Sequence, residues 1–514
     1  MQERPLLLEQ AARWCISRFR ENKLPFLFSF VIGLACYMFA LTNKLVNHDD
    51  VHALFMKGGT VTSGRWGLGL LDSIFPNYSM PWIYGLMAIV LMSAAVCVMI
   101  RCLSIDNSAL KLVFAGSIIA FPSLIGTFGY MFTVNSFALA FLLCVISVRL
   151  LLEKRLFCKV LALGFLVFSL SIYQSYISVA AGLLVLILIR RLLNREDMAD
   201  IIRTGVGYVL FLGAALGIYY GLTNIFLHLL GLELNEYASG NMGFSFSRIP
   251  TSILEAYRSF FRFFEDGYLR LIPTGFSILM HRICLVVALL LLVLHCVRIR
   301  SLSRCLLLLA LTGILPLAIN CMYLFTTVDS IHTLVMYGFV GFYGFAALLA
   351  DHWLTQPSSR KMMVLIGRAA VNLFSIALAL IIVCNCYVAN AAFLNLHLRY
   401  ENAYAFYTAL LSDIKALPEF GPDSTIALIG TYQDPEFYNE QFDFASGLTG
   451  VTGFKPDSYS RQRFMEYYIG TELPFADEAT LAALAQLPDV QTMPLYPYYG
   501  SIRVIDSFIV VKLS

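Results

Sequence analysis

LVNHDDVHALFMKGGTVTSGRWGLGLLDSIFP, residues 45–76, follows an apolar run that ends near Thr42 and sets two adjacent carboxylates, Asp49 and Asp50, between His48 and His52. Its meaning depends on the apolar runs that flank it. The chain of 514 residues is 59% hydrophobic and only 13% charged, with a mean hydropathy of +0.74. That is too apolar for a soluble domain and reads as a polytopic α-helical membrane protein. The net charge of +3 excludes nothing, and no nucleic-acid partner is expected.

A helix needs roughly 20 predominantly apolar residues to cross the hydrocarbon, and about eleven windows qualify. They centre in 24–42, 82–100, 111–128, 130–148, 157–173, 176–190, 204–229, 276–297, 305–325, 331–350 and 367–388. Lys and Arg collect in alternate connections: Arg13, Arg18, Arg20 and Lys23; Arg101 and Lys111; Arg149, Lys154, Arg155 and Lys159; Arg190, Arg191, Arg195 and Arg203; Arg298, Arg300 and Arg304; Arg360, Lys361 and Arg368. The opposite short turns near 128–130, 173–176 and 325–331 carry none. With the basic side in the cytoplasm, the N-terminus is inside. Three segments of real length then face outward: 43–80, 230–275 and 389–514.

Residues 1–23 read as an interfacial cytoplasmic helix ahead of an uncleaved first span, because apolar positions recur at helical spacing with basic residues opposite. The membrane module is then expected over 24–388 and an outward α/β domain over 389–514. All 12 cysteines lie at or before Cys386, so the outward C-terminal region is held without disulfides. Cys384 and Cys386 are too few ligands for zinc and read as small core residues.

The apolar windows hold almost no ionisable residues away from their ends, whereas proton-coupled transporters place such groups at mid-membrane. The scaffold therefore carries its chemistry at the outer face. No phosphate-binding loop, dinucleotide glycine fingerprint or H-E-x-x-H is present. Group-transfer energy would have to arrive on a lipid. The glycines of GFVGFYGF, 338–345, read as small residues at helix contacts.

In the first outward loop, the residues after Asp49 read as a short amphipathic helix with Val51, Leu54 and Phe55 on one side, and KGGTVTSGRWG as the turn back to the membrane. Successive helical residues point about 100° apart, so Asp49 and Asp50 cannot aim at one atom. If one is a base, the other orients a hydroxyl, caps the helix or pairs with a cation. An Asp at a helix start is also a common N-cap, and NHDD admits that reading too.

Between spans seven and eight, EAYRSFFRFFEDGYLRLIP is a second amphipathic element that reads as an interfacial helix with aromatics at headgroup depth. Arg258, Arg262 and Arg282, with Lys57, Arg65 and His52 of the first loop, are candidates for contact with a lipid phosphate or sugar. Tyr173 and Gln174 of YQSY, at an uncharged outward turn, are placed to bond a sugar, and Gln174 equally reads as satisfying backbone groups of a tight turn. The tail reads helix, strand (STIALIGTY), two helices, and paired strands (GSIRVID, FIVVKLS). Tyr432, Asp434, Glu436, Tyr438, Lys455, Arg461, Tyr496, Tyr498 and Tyr499 in its loops suit sugar binding, although tyrosines are also ordinary surface residues.

NHDD after the first span, SGRWGLGLLDSIFP (63–76), SIYQSYIS (171–178) and MPLYPYYGSIRVIDSFIVVKLS (493–514) together resemble the bacterial type II O-antigen glucosyltransferases, the serotype-converting family, from about residue 25 to the end. The resemblance implies a GT-C-like fold in the bacterial inner membrane with a periplasmic C-terminal domain. It also implies transfer of a glucosyl group from a polyprenyl-phosphate sugar to lipid-linked O-antigen. The family's catalytic acid falls on the doublet Asp49 and Asp50, with Asp49 preferred, and no role passes to His48 or Trp66. A phosphodiester sugar needs no general acid, so one carboxylate base and no covalent nucleophile predict inversion. No metal or cofactor is expected. The rival classes are a transporter or flippase of the lipid-linked sugar, and a polysaccharide polymerase or ligase of similar architecture.

Overall fold

The computed structural model describes residues 7–53, 60–76, 78–235, 246–267, 274–327, 330–356, 361–432, 448–451 and 460–514. The chain opens with α1 (Leu7–Thr42), whose helix breaks at Asn22 (φ −116°, ψ 15°). Pro25, one turn on, has no amide hydrogen to continue the ladder across that break. The break falls where the basic N-terminal helix was expected to meet the first span.

The first loop holds two short helices, α2 (His48–Ala53) and α3 (Trp66–Leu71). Then come α4 (Pro81–Leu103), the bent pair α5 (Ser108–Ile119) and α6 (Pro122–Phe128), α7 (Val134–Leu151), α8 (Leu156–Ile172), α9 (Ile177–Leu193) and α10 (Met198–Leu230). The amphipathic α11 (Ile249–Glu265) precedes α12 (Gly275–Ile299), α13 (Leu302–Ile319), α14 (Val340–Thr355) and α15 (Lys361–Lys415). Among the described residues nine helices are long and apolar enough to cross a membrane, or ten with the bent pair; α8, at 17 residues, is a shorter apolar helix beside them. The chain is thus a mostly helical, polytopic membrane protein.

Burial sorts the helices into centre and rim. The span through Thr333–Thr355 is 94% buried and α10 only 17%. Lipid is as apolar as leucine, so close packing rather than hydrophobic exclusion joins such helices. The glycines of 338–345 show how: a Cβ on Gly338 would strike the Ile319 carbonyl, and one on Gly344 would come within 2.9 Å of Leu186. Cys386 meets Cys36 of α1 at 3.2 Å between sulfurs, as small residues in a helix contact.

Polar contacts define two ends. At the basic end Asp351 accepts from the Asp106 and Asn107 amides at 3.0 and 2.7 Å, and Arg190 donates to the Cys102 carbonyl at 2.6 Å. At the other end lie the first loop, the 173–176 turn and the C-terminal segment.

The helix that carries the last apolar window does not end at 388, where the membrane module was expected to give way to the outward domain. Neither Gly nor Pro occurs from 368 to 417, so α15 runs unbroken for 55 residues. At about 1.5 Å per residue it is far longer than a hydrocarbon crossing. Its distal stripe of Ala403, Tyr407, Leu410, Leu411 and Ile414 is buried under the C-terminal segment.

There β1 (Thr425–Ile429) pairs in parallel with β3 (Phe508–Lys512), which pairs antiparallel with β2 (Ile502–Ile505). Asp506 and Ser507, both at positive φ, make the two-residue turn that matches strand twist. The parallel pairing requires a crossover, supplied by α16 (Arg461–Tyr468), α17 (Glu478–Ala485) and α18 (Pro488–Gln491). Strand alternation splits the sheet between two cores. Ile426, Leu428, Ile509 and Val511 join the main core, while Ala427 and Val510 pack with Leu484, Val490 and Met493.

Candidate active site

The doublet sits in the first turn of α2, and Asn47 is its cap. Asn47 Oδ1 accepts from the Asp50 amide at 2.9 Å, and its Nδ2 donates to the Gly129 carbonyl at 2.5 Å. Asn47 therefore serves as the helix cap rather than either aspartate, and both carboxylates lie in the first turn, where they complement the helix dipole.

The two carboxylates point into different surroundings. Asp50 is fully buried and ion-paired with Lys44, six residues earlier, whose side chain is one-third exposed. Its other oxygen, Oδ1, has no hydrogen-bond partner among the described residues. Burial raises the Asp50 pKa; Lys44 and the nearby Ser79 hydroxyl pull it down, and the Asp49 charge pushes it up. Asp49 keeps part of its surface accessible.

A residue from the far end of the chain joins these surroundings. α16 packs on α2, and the buried Tyr468 hydroxyl has no hydrogen-bond partner among the described residues. Burial raises its pKa first, then the Asp50 charge and Tyr400. Two buried oxygens without hydrogen-bond partners among the described residues thus influence one another electrostatically, a costly arrangement that calls for an explanation.

A second cluster gathers Arg65, Tyr173 and Gln174. Gly64 turns the chain at φ +73°. Tyr219 donates to its carbonyl at 2.9 Å, and Gln174 Nε2 donates to the Tyr219 hydroxyl at 2.8 Å and the Ser63 carbonyl at 3.3 Å. Gln174 therefore does satisfy turn backbone, although the turn belongs to the first loop rather than to YQSY. The Arg65 guanidinium lies 5.6 Å from the Tyr173 ring centre, and its Nε is buried with no hydrogen-bond partner among the described residues.

These side chains line a small cleft of about 70 Å³, which His332, Tyr219 and Tyr220 also line. His332 is pushed down to about 4 by burial and then by Arg65, so it is neutral at pH 7. Its Nδ1 is buried without a hydrogen-bond partner among the described residues. The Thr449 amide bonds the Thr333 hydroxyl at 2.8 Å beside it, so the C-terminal segment reaches this rim as well.

The other candidates lie elsewhere. Arg282 donates to the carbonyls of Phe264 and Glu265 at 2.8 and 2.6 Å and so caps the end of α11. Arg258 pairs with Glu255 and Arg262 with Asp266 along the exposed face of α11. Lys57 and the His52 side chain lie outside the described residues. In the tail, Tyr432 is buried against Phe406, Tyr496 donates to Asp413 at 2.8 Å, and Arg461 donates to Gly430 at 2.9 Å. Tyr498 and Tyr499 are exposed, and Asp434, Glu436, Tyr438 and Lys455 lie outside the described residues.

Lys44, Tyr219, His332 and Tyr468 were not singled out from the sequence. Lys44 had the best signal, a cation at the mouth of the first span within reach of the doublet. Tyr468 had none, since only the fold brings residue 468 to residue 50.

A family model described as Glucosyl transferase GtrII matches residues 38–343. That stretch exceeds half of the chain and takes in Lys44, the doublet, the Arg65 cleft and His332, while Tyr468 lies beyond it. No curated protein matches. No solved structure matches. The chain belongs to the GtrII glucosyl transferase family, and it is a membrane glycosyltransferase.

Proposed function

We propose that the protein transfers glucose from a polyprenyl-phosphate donor to a hydroxyl of lipid-linked O-antigen at the periplasmic face of the bacterial inner membrane, inverting the anomeric centre. Asp49 takes the proton of the acceptor hydroxyl as its oxygen bonds to the sugar C1; the C1–O bond to phosphate breaks and the polyprenyl monophosphate leaves. The observation that carries this assignment is the contrast within the doublet. Asp50 is fully buried and held by Lys44, while Asp49 is only half-buried. A general base must reach the proton it removes. Asp50 then orients α2 and sets the local charge.

Arg65 is the proposed phosphate partner. Its buried Nε lacks a hydrogen-bond partner among the described residues, and it lines a cleft whose one imidazole is neutral, so a dianionic leaving group would meet a forked donor. Counting α8 and the bent pair as crossings gives eleven, an odd number that supports opposite sides for the two ends, and the Lys- and Arg-rich connections support a cytoplasmic N-terminus with the sheet-bearing C-terminal segment on the periplasmic side.

The test is reconstitution. Purified protein given polyprenyl-phosphoglucose and lipid-linked O-antigen should form a glycosidic bond of inverted configuration, with or without a chelator. Movement of the donor across vesicles with no glycosidic product would replace this reading with a transporter.

A further inference from the structure

At the end of the bundle opposite Asp50, a groove of about 760 Å³ opens between α8, the end of α9 and the start of α10. Its mouth holds four cations, Lys154, Lys159, Arg190 and Arg191, against two carboxylates. Both carboxylates are engaged: Glu153 with Arg149 at 2.8 Å and Glu196 with Arg191 at 2.6 Å. Lys154 and Lys159 are exposed and pair with no carboxylate among the described residues. Arg190 is anchored through one nitrogen to Cys102 and Ser104, but its buried Nε has no hydrogen-bond partner among the described residues.

The deeper wall is of another kind. Val160 and Leu210, 62% and 68% exposed, face the hydrocarbon, with Leu163 and Phe211 beside them. Leu210 lies six residues past Thr204, about 9 Å further into the span at 1.5 Å per residue. Gly207 lines the groove between them, and beyond its own helix backbone nothing described lies within 4 Å of where a Cβ would be. A basic mouth above an apolar, laterally open trough matches an amphiphile with an anionic head.

The geometry points to a binding site for an anionic phospholipid, its phosphate on Lys154 and Lys159 and the Arg190 Nε, its first acyl carbons along Val160 and Leu210. A free phosphate would use only the mouth and gain nothing from the trough. A soluble nucleotide would leave the bilayer-facing wall to lipid. The site stands apart from the Arg65 cleft, at the other end of the bundle, and does not depend on the donor or acceptor proposed above.

The experiment is lipid titration of the purified full-length protein in neutral detergent, read by native mass spectrometry and thermal unfolding. Phosphatidylglycerol should bind and raise the unfolding midpoint, while phosphatidylcholine and inorganic phosphate should not. Lys154→Gln/Lys159→Gln should weaken phosphatidylglycerol roughly tenfold, since each cation near an anionic headgroup contributes several-fold in affinity. Gly207→Leu, which fills the trough without changing charge, should weaken it comparably. Equal binding of phosphatidylcholine, or phosphatidylglycerol binding unchanged in both variants, would overturn the proposal. So would a site that takes polyprenyl monophosphate and refuses phosphatidylglycerol. Should one variant fail to fold, the other and the headgroup selectivity of the native protein still decide.

Discussion

Lys44, at the mouth of the first span, holds the buried carboxylate of Asp50 on the next helix, and this ion pair sets Asp50 apart from the half-buried Asp49 beside it. Without it a fully buried carboxylate would be left with no cationic partner beside the Asp49 charge.

Lys44→Gln should therefore destabilise the protein by about 1–3 kcal/mol, less than for a fully sealed pair because Lys44 is partly exposed. Adding Asp50→Asn to that variant should recover most of the loss. The four thermal midpoints of the double-mutant cycle measure the coupling directly.

The pH dependence follows from the raised Asp50 pKa. A carboxyl protonated more readily in the folded than in the unfolded chain adds stability at low pH and loses it as pH rises through the folded-state value. Between pH 4 and pH 8 the native protein should accordingly lose stability relative to Asp50→Asn. Paired unfolding midpoints across that range check the sign, and a difference growing in favour of the native protein would reverse the burial argument.

Removing the Arg65 charge should raise the His332 pKa from about 4, while leaving it below the ordinary value of 6.5 because burial is the larger cause. Selective labelling of the imidazole and NMR titration of Arg65→Gln would show this. In the same variant the donor KM should rise by one to two orders of magnitude if the guanidinium binds the phosphate.

Gly64→Ala should open the first loop. The position has φ +73°, and a Cβ there would approach the Tyr219 hydroxyl to 2.8 Å and Gln174 to 3.2 Å. The conformation alone costs an L-residue about 1–2 kcal/mol. The expected outcome is faster hydrogen exchange of residues 60–65 with the spans unaffected.

Much of this arrangement is legible in the amino-acid sequence. The apolar windows place the helices, because a bilayer dictates length and composition, and the same contrast exposes NHDD as polar chain at a span end. Arg65, Tyr173 and Gln174 emerge as candidates because each is a polar or aromatic group at an otherwise bland turn, and the fold brings all three to one cleft. Long-range relations are what the residues alone do not show. That Asn47 is the cap depends on its contact with Gly129, and that Arg282 closes α11 depends on a helix end 17 residues away. The unbroken α15 hides a change from lipid to water because helix propensity continues through it. Tyr468 reaches Asp50 only through the packing of α16 on α2.

The central claim is that Asp49 is the base and Asp50 its buried, cation-paired neighbour. Single-turnover transfer from polyprenyl-phosphoglucose to lipid-linked acceptor, compared for Asp49→Asn and Asp50→Asn with donor binding measured alongside, tests it most directly. The account predicts that Asp49→Asn slows transfer on the order of 10²–10⁴-fold with donor binding intact, the usual contribution of a general base, and that Asp50→Asn slows it less. Full transfer by Asp49→Asn would contradict it.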